Sequence, residues 1–233
     1  MAQLGIYRGD AKHGKPHGYA VELRHVKKSH SGTEVYTDLH FQLMHGTFVA
    51  LVGPIGSGKT TMINLLAGLE RPDDGAIVVE GQDITQLDDD SMAGFRGRMI
   101  GLVPQTQTLI PELTAYENVG LPLYFQGLDG DARKDKVEKV IDRVGISGDV
   151  DRLAGSLSVG ERQMVSFARA LVADPPILLL DEPTESLDPL MSEMVLGFLR
   201  GDNLTGKTIF VTTHDKRVMD LAKRTLRVKK TIP

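Results

Sequence analysis

At 233 residues, 41% hydrophobic and 25% charged, the chain can bury a sizeable core as one large domain or as a domain with an added lobe. Its net charge of −4 argues against a dedicated nucleic-acid binder, and zero cysteines exclude disulfides, cysteine-ligated metals and a cysteine nucleophile. No apolar run reaches bilayer length, and the polar stretch Met1 to His17 lacks the apolar region of a signal peptide, so the chain is expected to stay in the cytoplasm.

Residues 1–18 read as a polar tail, in which His13 and His17 are expected to be solvated residues and not metal ligands. A first strand is predicted at Ala20 to His25 and a second at Phe48 to Val52, the latter too short and too β-rich for a helix. That strand leads into Gly53-Pro54-Ile55-Gly56-Ser57-Gly58-Lys59-Thr60, with Thr61 and the apolar run Met62-Ile63-Asn64-Leu65-Leu66 behind it. The spacing is that of a phosphate-binding loop for ATP or GTP. Glycines let backbone N–H groups curl round a phosphate without a Cβ in the way, and the helix that follows turns its positive end to the anion. Lys59 is then expected to reach the β- and γ-phosphates and the Thr60 hydroxyl to ligate Mg²⁺.

Further strands are predicted at Ala76 to Glu80 and Ile100 to Val103. Thr114-x-x-Glu117 is a helix capping box, and Val137, Val140, Ile141 and Val144 form one face of a helix that ends at Gly145. A second capping box lies in Leu157-Ser158-Val159-Gly160-Glu161-Arg162-Gln163, with Ser158 as cap and Glu161 three residues on. The same hydroxyl and exposed N–H groups could serve as a second anion site, for a γ-phosphate presented by another subunit, and the two readings are compatible. Ile177-Leu178-Leu179-Leu180-Asp181-Glu182 describes a strand buried on both faces that projects two acids beside the phosphates. Asp181 is placed to hold the Mg²⁺ shell and Glu182 to polarise an attacking water. Asp188 before Pro189 is a helix cap, a last strand is predicted at Thr208 to Thr212, and His214 and the cap Asp215 follow it.

In this order the motifs resemble the nucleotide-binding domain of ATP-binding cassette proteins, from about Val21 to the C-terminal region. The resemblance rests on the phosphate loop, Gln105 after Ile100-Gly101-Leu102-Val103-Pro104, the signature at Leu157 to Glu161, Asp181-Glu182, Ser186-Leu187-Asp188 and His214. It implies an α/β fold: a P-loop NTPase core (residues 19–104 and 159–233) with an N-terminal antiparallel β subdomain, and an inserted α-helical subdomain (residues 105–158). It also implies that Gln105 touches Mg²⁺ and the attacking water, that His214 meets the γ-phosphate and orients water with Glu182, and that Ser158, Gly160, Glu161 and Asp188 contact nucleotide or partner across a dimer. Val159 and Glu161 stand where the family most often has glycine and glutamine. For the aromatic that stacks on adenine the candidates are Tyr36 and His30.

By the same resemblance the chain is expected to hydrolyse ATP as a head-to-tail homodimer holding two nucleotides, at the cytoplasmic face of a membrane, and to drive a separate permease. Leu109 to Val119 with Leu121-Pro122-Leu123 is similar to the branch serving lipoprotein release and macrolide efflux, which transmits force across the membrane. Tyr124 and Phe125 are read either as part of a permease-docking groove or as core of the helical lobe. The alternative is a soluble cassette protein acting on ribosomes or DNA; a single uninterrupted cassette without cysteine speaks against it, and no nucleic acid is expected as a partner.

Overall fold

The computed structural model describes residues 2–3, 18–146, 148–201 and 204–230; His13 and His17 lie outside them. After the short strand Ala2–Gln3 (β1), the long strands Val21–His30 (β2) and Thr33–Leu43 (β3) form an antiparallel pair. Strand β3 was not among the predicted strands, although Leu39, Phe41 and Leu43 are buried and alternate with the outward Asp38, His40 and Gln42. The predicted first strand also runs five residues further, to His30. Asp74–Val79 (β5) and Gln82–Asp83 (β6) complete a four-stranded sheet in the order β3-β2-β5-β6.

The second sheet is parallel. Phe48–Val52 (β4), Ile100–Val103 (β7), Ile177–Asp181 (β8), Thr208–Thr212 (β9) and Arg224–Arg227 (β10) lie in the order β10-β4-β9-β8-β7. Strand β10 was also not predicted, because an edge strand reading Arg-Thr-Leu-Arg carries no apolar run. Lys229–Lys230 (β11) pairs with β1, so part of the expected tail is built into a two-stranded ribbon.

Alternation along these strands divides the apolar interior in two. Val49, Leu51, Ile177, Leu179 and Phe210 face the antiparallel sheet and the helix Lys59–Leu66 (α1), together with Phe95 of Asp89–Met99 (α2). Ala50, Leu178, Leu180, Ile209 and Val211 face the other way, onto Val159–Leu171 (α5) and Pro189–Arg200 (α6). Burial on both faces is why the central strands read as continuous aliphatic runs. The short helix Lys216–Met219 (α7) joins β9 to β10.

Between β7 and α5 the chain makes the helical insertion, Ala115–Phe125 (α3) and Gly130–Val144 (α4). Both sequence-read capping boxes form, at Thr114 with Glu117 and at Ser158 with Glu161, and Gly145 ends α4 in the left-handed region at φ 75°. Asn118 anchors the entry to α3. It is fully buried, accepts from the N–H of Ile110 at 2.8 Å and donates to the carbonyls of Ile110 and Thr114. The packing runs on across residue 158, the cap of α5: Val119, Leu123, Val137 and Val140 share one core with Met164, Val165 and Phe167.

Helix α5 lies against β7 through Gly101. A Cβ at this position would sit 2.3 Å from the Ala170 carbonyl oxygen and 2.6 Å from Leu178 Cδ2, atoms that cannot give way independently. Gly101→Ala should therefore lower stability by about 1–3 kcal/mol, as overpacking of a full core does. Denaturant melting measures it, and an unchanged midpoint would show that α5 is not seated this closely.

Candidate active site

The loop after β4 takes its shape from three glycines and one tyrosine. Gly56 and Gly58 have φ of 74° and 93°, a region that side chains other than glycine seldom adopt. At Gly53 the requirement is space, since a Cβ would lie 2.7 Å from Ser57 Oγ and 3.0 Å from the Val228 carbonyl oxygen. Ser57 is turned inward and buried, whereas Ile55 stands at the tip of the loop, 94% exposed. Lys59 Nζ donates to the Gly53 carbonyl at 3.0 Å and lies 3.4 Å from Glu182 Oε1.

Tyr36, a candidate for the adenine contact, does not line the cavity over the loop. It is 1% exposed, beneath the loop, and its hydroxyl donates to the Gly58 carbonyl oxygen at 2.9 Å. Burial pushes its phenol well above the usual range, so it stays protonated. An aromatic residue on an inward-facing position of β3 packs; its role is to support the loop from below. His30, at the end of β2, is half exposed, pairs with Thr61 Oγ1 at 3.3 Å and does line the cavity over the loop.

Opposite the loop, the parallel register sets Asp181 beside Thr212. The Thr212 hydroxyl donates to Asp181 Oδ1 and accepts the backbone N–H of Glu182 at 3.1 Å. Glu182 then turns into the left-handed region, at φ 46°, which breaks the strand alternation and directs its carboxylate to the cavity. Its Oε2 pairs with His214 Nδ1 at 2.9 Å and accepts the His214 backbone N–H at 3.1 Å. Glu182 is 7% exposed, whereas the His214 side chain that meets it is 64% exposed.

The cavity of about 700 Å³ is lined by Gly53, Pro54, Ile55, Gly56, Gly58, Lys59, Thr60 and Thr61 on one side and by Gln105, Glu182 and His214 on the other. Sequence-predicted loop, carboxylate, glutamine and histidine thus meet in one place. Asp181 and Ser57 are behind this wall. Glu185, which takes the Gln105 side-chain amide as donor, also lines the cavity and was not singled out from the sequence. Neither was Thr212; its signal lies in the β8–β9 register, which a single sequence does not display.

Besides Asp181, Ser57 and Tyr36, four further candidates do not line this cavity: Ser158, Gly160, Glu161 and Asp188. Ser158 caps α5, and Glu161 returns Oε2 to the Ser158 N–H at 2.7 Å and Oε1 to Arg152 at 2.8 Å. The Ser158 bonds, with Arg152 adding to them, hold the Glu161 carboxyl below its ordinary range. Gly160 touches Met191 of α6, where a Cβ would come within 2.5 Å of Cγ. Asp188 caps α6 ahead of Pro189. The site of a single chain therefore holds the phosphate loop and the acid–histidine pair, and its second predicted anion site faces elsewhere.

Residues 36–185 match the sequence profile of a family described as ABC transporter. The chain belongs to the ABC transporter family. Over 213 residues it is 35% identical to an uncharacterized ABC transporter ATP-binding protein, YknY, of Bacillus subtilis, covering 90% of this chain and 93% of that one. It is 36% identical over 212 residues to a macrolide export ATP-binding/permease protein, MacB 1/2, of Paracoccus denitrificans, and there spans only 32% of the relative's length. Among solved structures, a dimeric post-hydrolysis state of the ATP-binding cassette MJ0796 with ADP and Pi superposes with a TM-score of 0.84 at 34% identity, covering 90% and 94% of the two chains. The chain is an ABC ATPase, and the ABC cassette fold expected from the motif order is the fold it has.

Tyr36→Phe tests the corrected role within this ABC cassette. Losing one hydrogen bond to the loop should cost about 1 kcal/mol of stability, and ATP affinity should stay within about threefold, because the ring remains in place. A loss of adenine over guanine preference in this variant would restore Tyr36 as a base contact.

Proposed function

We propose that this ABC ATPase works as a head-to-tail homodimer at the cytoplasmic face of a membrane, where it drives a separate permease of the macrolide-export type. The observation that carries the reading is the division of the site: the phosphate loop, Glu182 and His214 share one cavity, while the Ser158 end of α5 lies outside it. A second copy related by a two-fold axis would bring its Ser158 and Gly160 to the γ-phosphate of the first. MacB relatives join ATP-binding and permease parts in one protein by name, which supports a membrane partner here. Among the described residues no helix is long and apolar enough to cross a membrane.

In this reading Lys59 leaves the Gly53 carbonyl for the β- and γ-phosphates. Glu182 accepts a proton from water attacking the γ-phosphorus, with His214 steadying both the carboxylate and the phosphate. Thr60, Gln105 and Asp181 offer hydroxyl, amide and carboxylate oxygens, a hard donor set suited to Mg²⁺. Asp181, buried and bonded to Thr212, would act from behind the cavity wall. Bound Mg²⁺ would neutralise phosphate charge. His30 takes the adenine contact in place of Tyr36, on the strength of its exposure at the cavity rim.

A groove of about 930 Å³ between α2, β7 and α3 is the proposed permease seat, lined by Arg96, Leu102, Pro122, Phe125 and Arg169 among others. Tyr124 and Phe125 are 58% and 78% exposed, so the lobe-core alternative does not hold for them. Arg133 covers the Tyr124 ring, 5.7 Å from its centroid.

Glu182→Gln should bind ATP with near-parent affinity, lose turnover by about 100-fold or more and collect as dimers in light scattering with ATP; near-normal turnover refutes the general-base role. His30→Ala should weaken ATP binding about fivefold or more if a stacking contact is lost. Unchanged affinity removes His30 from the adenine site.

A further inference from the structure

The irregularity of β2 has chemical as well as geometric consequences. Arg24 and His25, two consecutive residues, both face solvent between the buried Leu23 and Val26. Here the register shifts against β3 and against β5, and His25 has φ of 52°. Bulges re-aim side chains. This one brings His25 onto the outward face of β3, where Asp38 and His40 flank the buried Leu39. His25 Nδ1 is 3.0 Å from Asp38 Oδ1, His40 Nε2 is 3.3 Å from the same oxygen, and the two imidazoles meet edge to face at 4.0 Å between centroids.

The arrangement is held from behind. Gly75, at φ 88°, lies so close that a Cβ would be 2.4 Å from the His25 carbonyl oxygen, which leaves the bulge little freedom to flatten. The neighbouring ammonium of Lys27 pairs with Asp74 at 2.9 Å. One donor atom from each of His25, Asp38 and His40 lies within 4.8 Å of the others. A tetrahedral ion with bonds of about 2.1 Å spaces its ligands about 3.4 Å apart, close to the two distances measured to Asp38.

We propose that His25, Asp38 and His40 form a binding site for a divalent transition-metal ion, with Zn²⁺ as the reference case and water completing the coordination. Two imidazoles with one carboxylate favour Zn²⁺, Ni²⁺ or Cu²⁺ over Mg²⁺. None of the three residues lines the nucleotide cavity, so this ion is distinct from the one accompanying ATP. Ligands from both strands would let the ion clamp β2 to β3 at the bulge.

The test is a Zn²⁺ titration of the nucleotide-free, untagged full chain against a chromogenic chelator, comparing His25→Ala, Asp38→Asn, His40→Ala and His45→Ala. One ion per chain is expected in the parent, with affinity at least tenfold weaker in each of the first three variants. His45→Ala, whose imidazole faces Glu80 elsewhere, should match the parent. Zn²⁺ should raise the parent's Tm by several degrees and leave the Tm of the three site variants unmoved. No binding to the parent at micromolar Zn²⁺, or parent-like affinity in all three site variants, overturns the proposal; circular dichroism confirms that each variant is folded.

Discussion

A buried carboxylate needs partners, and the hydroxyl of Thr212 supplies the one on which this site turns. Asp181 is 2% exposed at the end of a strand enclosed on both faces, where an unpaired charge would be strongly destabilising. Thr212 donates to it and, through the same oxygen, receives the N–H of Glu182. One side chain thereby fixes the ends of two neighbouring strands and the backbone turn that sends Glu182 into the cavity. Were β9 to slip by one residue against β8, Thr212 would point to the opposite face and both acids would lose their orientation.

Around this pair the two sheets divide the labour. The parallel sheet delivers the phosphate loop, the acids and His214 from the ends of its strands, as open α/β sheets do. The antiparallel sheet supports the loop from below, with Tyr36 bonded to Gly58 and Val35 close enough that a Cβ on Gly58 would collide with it at 2.6 Å. Glycine at position 58 thus answers to the second sheet as well as to the left-handed backbone.

Much of this was legible in the sequence because it is local. The strand, glycine turn and helix of the phosphate loop, the two capping boxes and the Asp188–Pro189 cap are written in neighbouring residues, and each forms as read. What was not legible depends on pairing across the chain. Strand β3 lacks an aliphatic run, and β10 is polar because it lies at an edge. Tyr36 looked like a base contact only because its inward-facing position on β3 was not visible. Glu185 and Thr212 acquire their roles from partners 80 and 30 residues away.

Helix α5 has one further property. Its first residue follows Ser158, while its last turn, at Arg169 and Ala170, walls the groove beside Phe125 and presses on Gly101. At 1.5 Å per residue the two ends are about 20 Å apart. With most of its length gripped by one continuous core, the helix is stiff, and a tilt imposed at one end must reappear as a displacement at the other. One packed core thus joins the Ser158 cap to the groove wall, and at the far end the helix is seated by the close approach of Ala170 to a residue without a side chain.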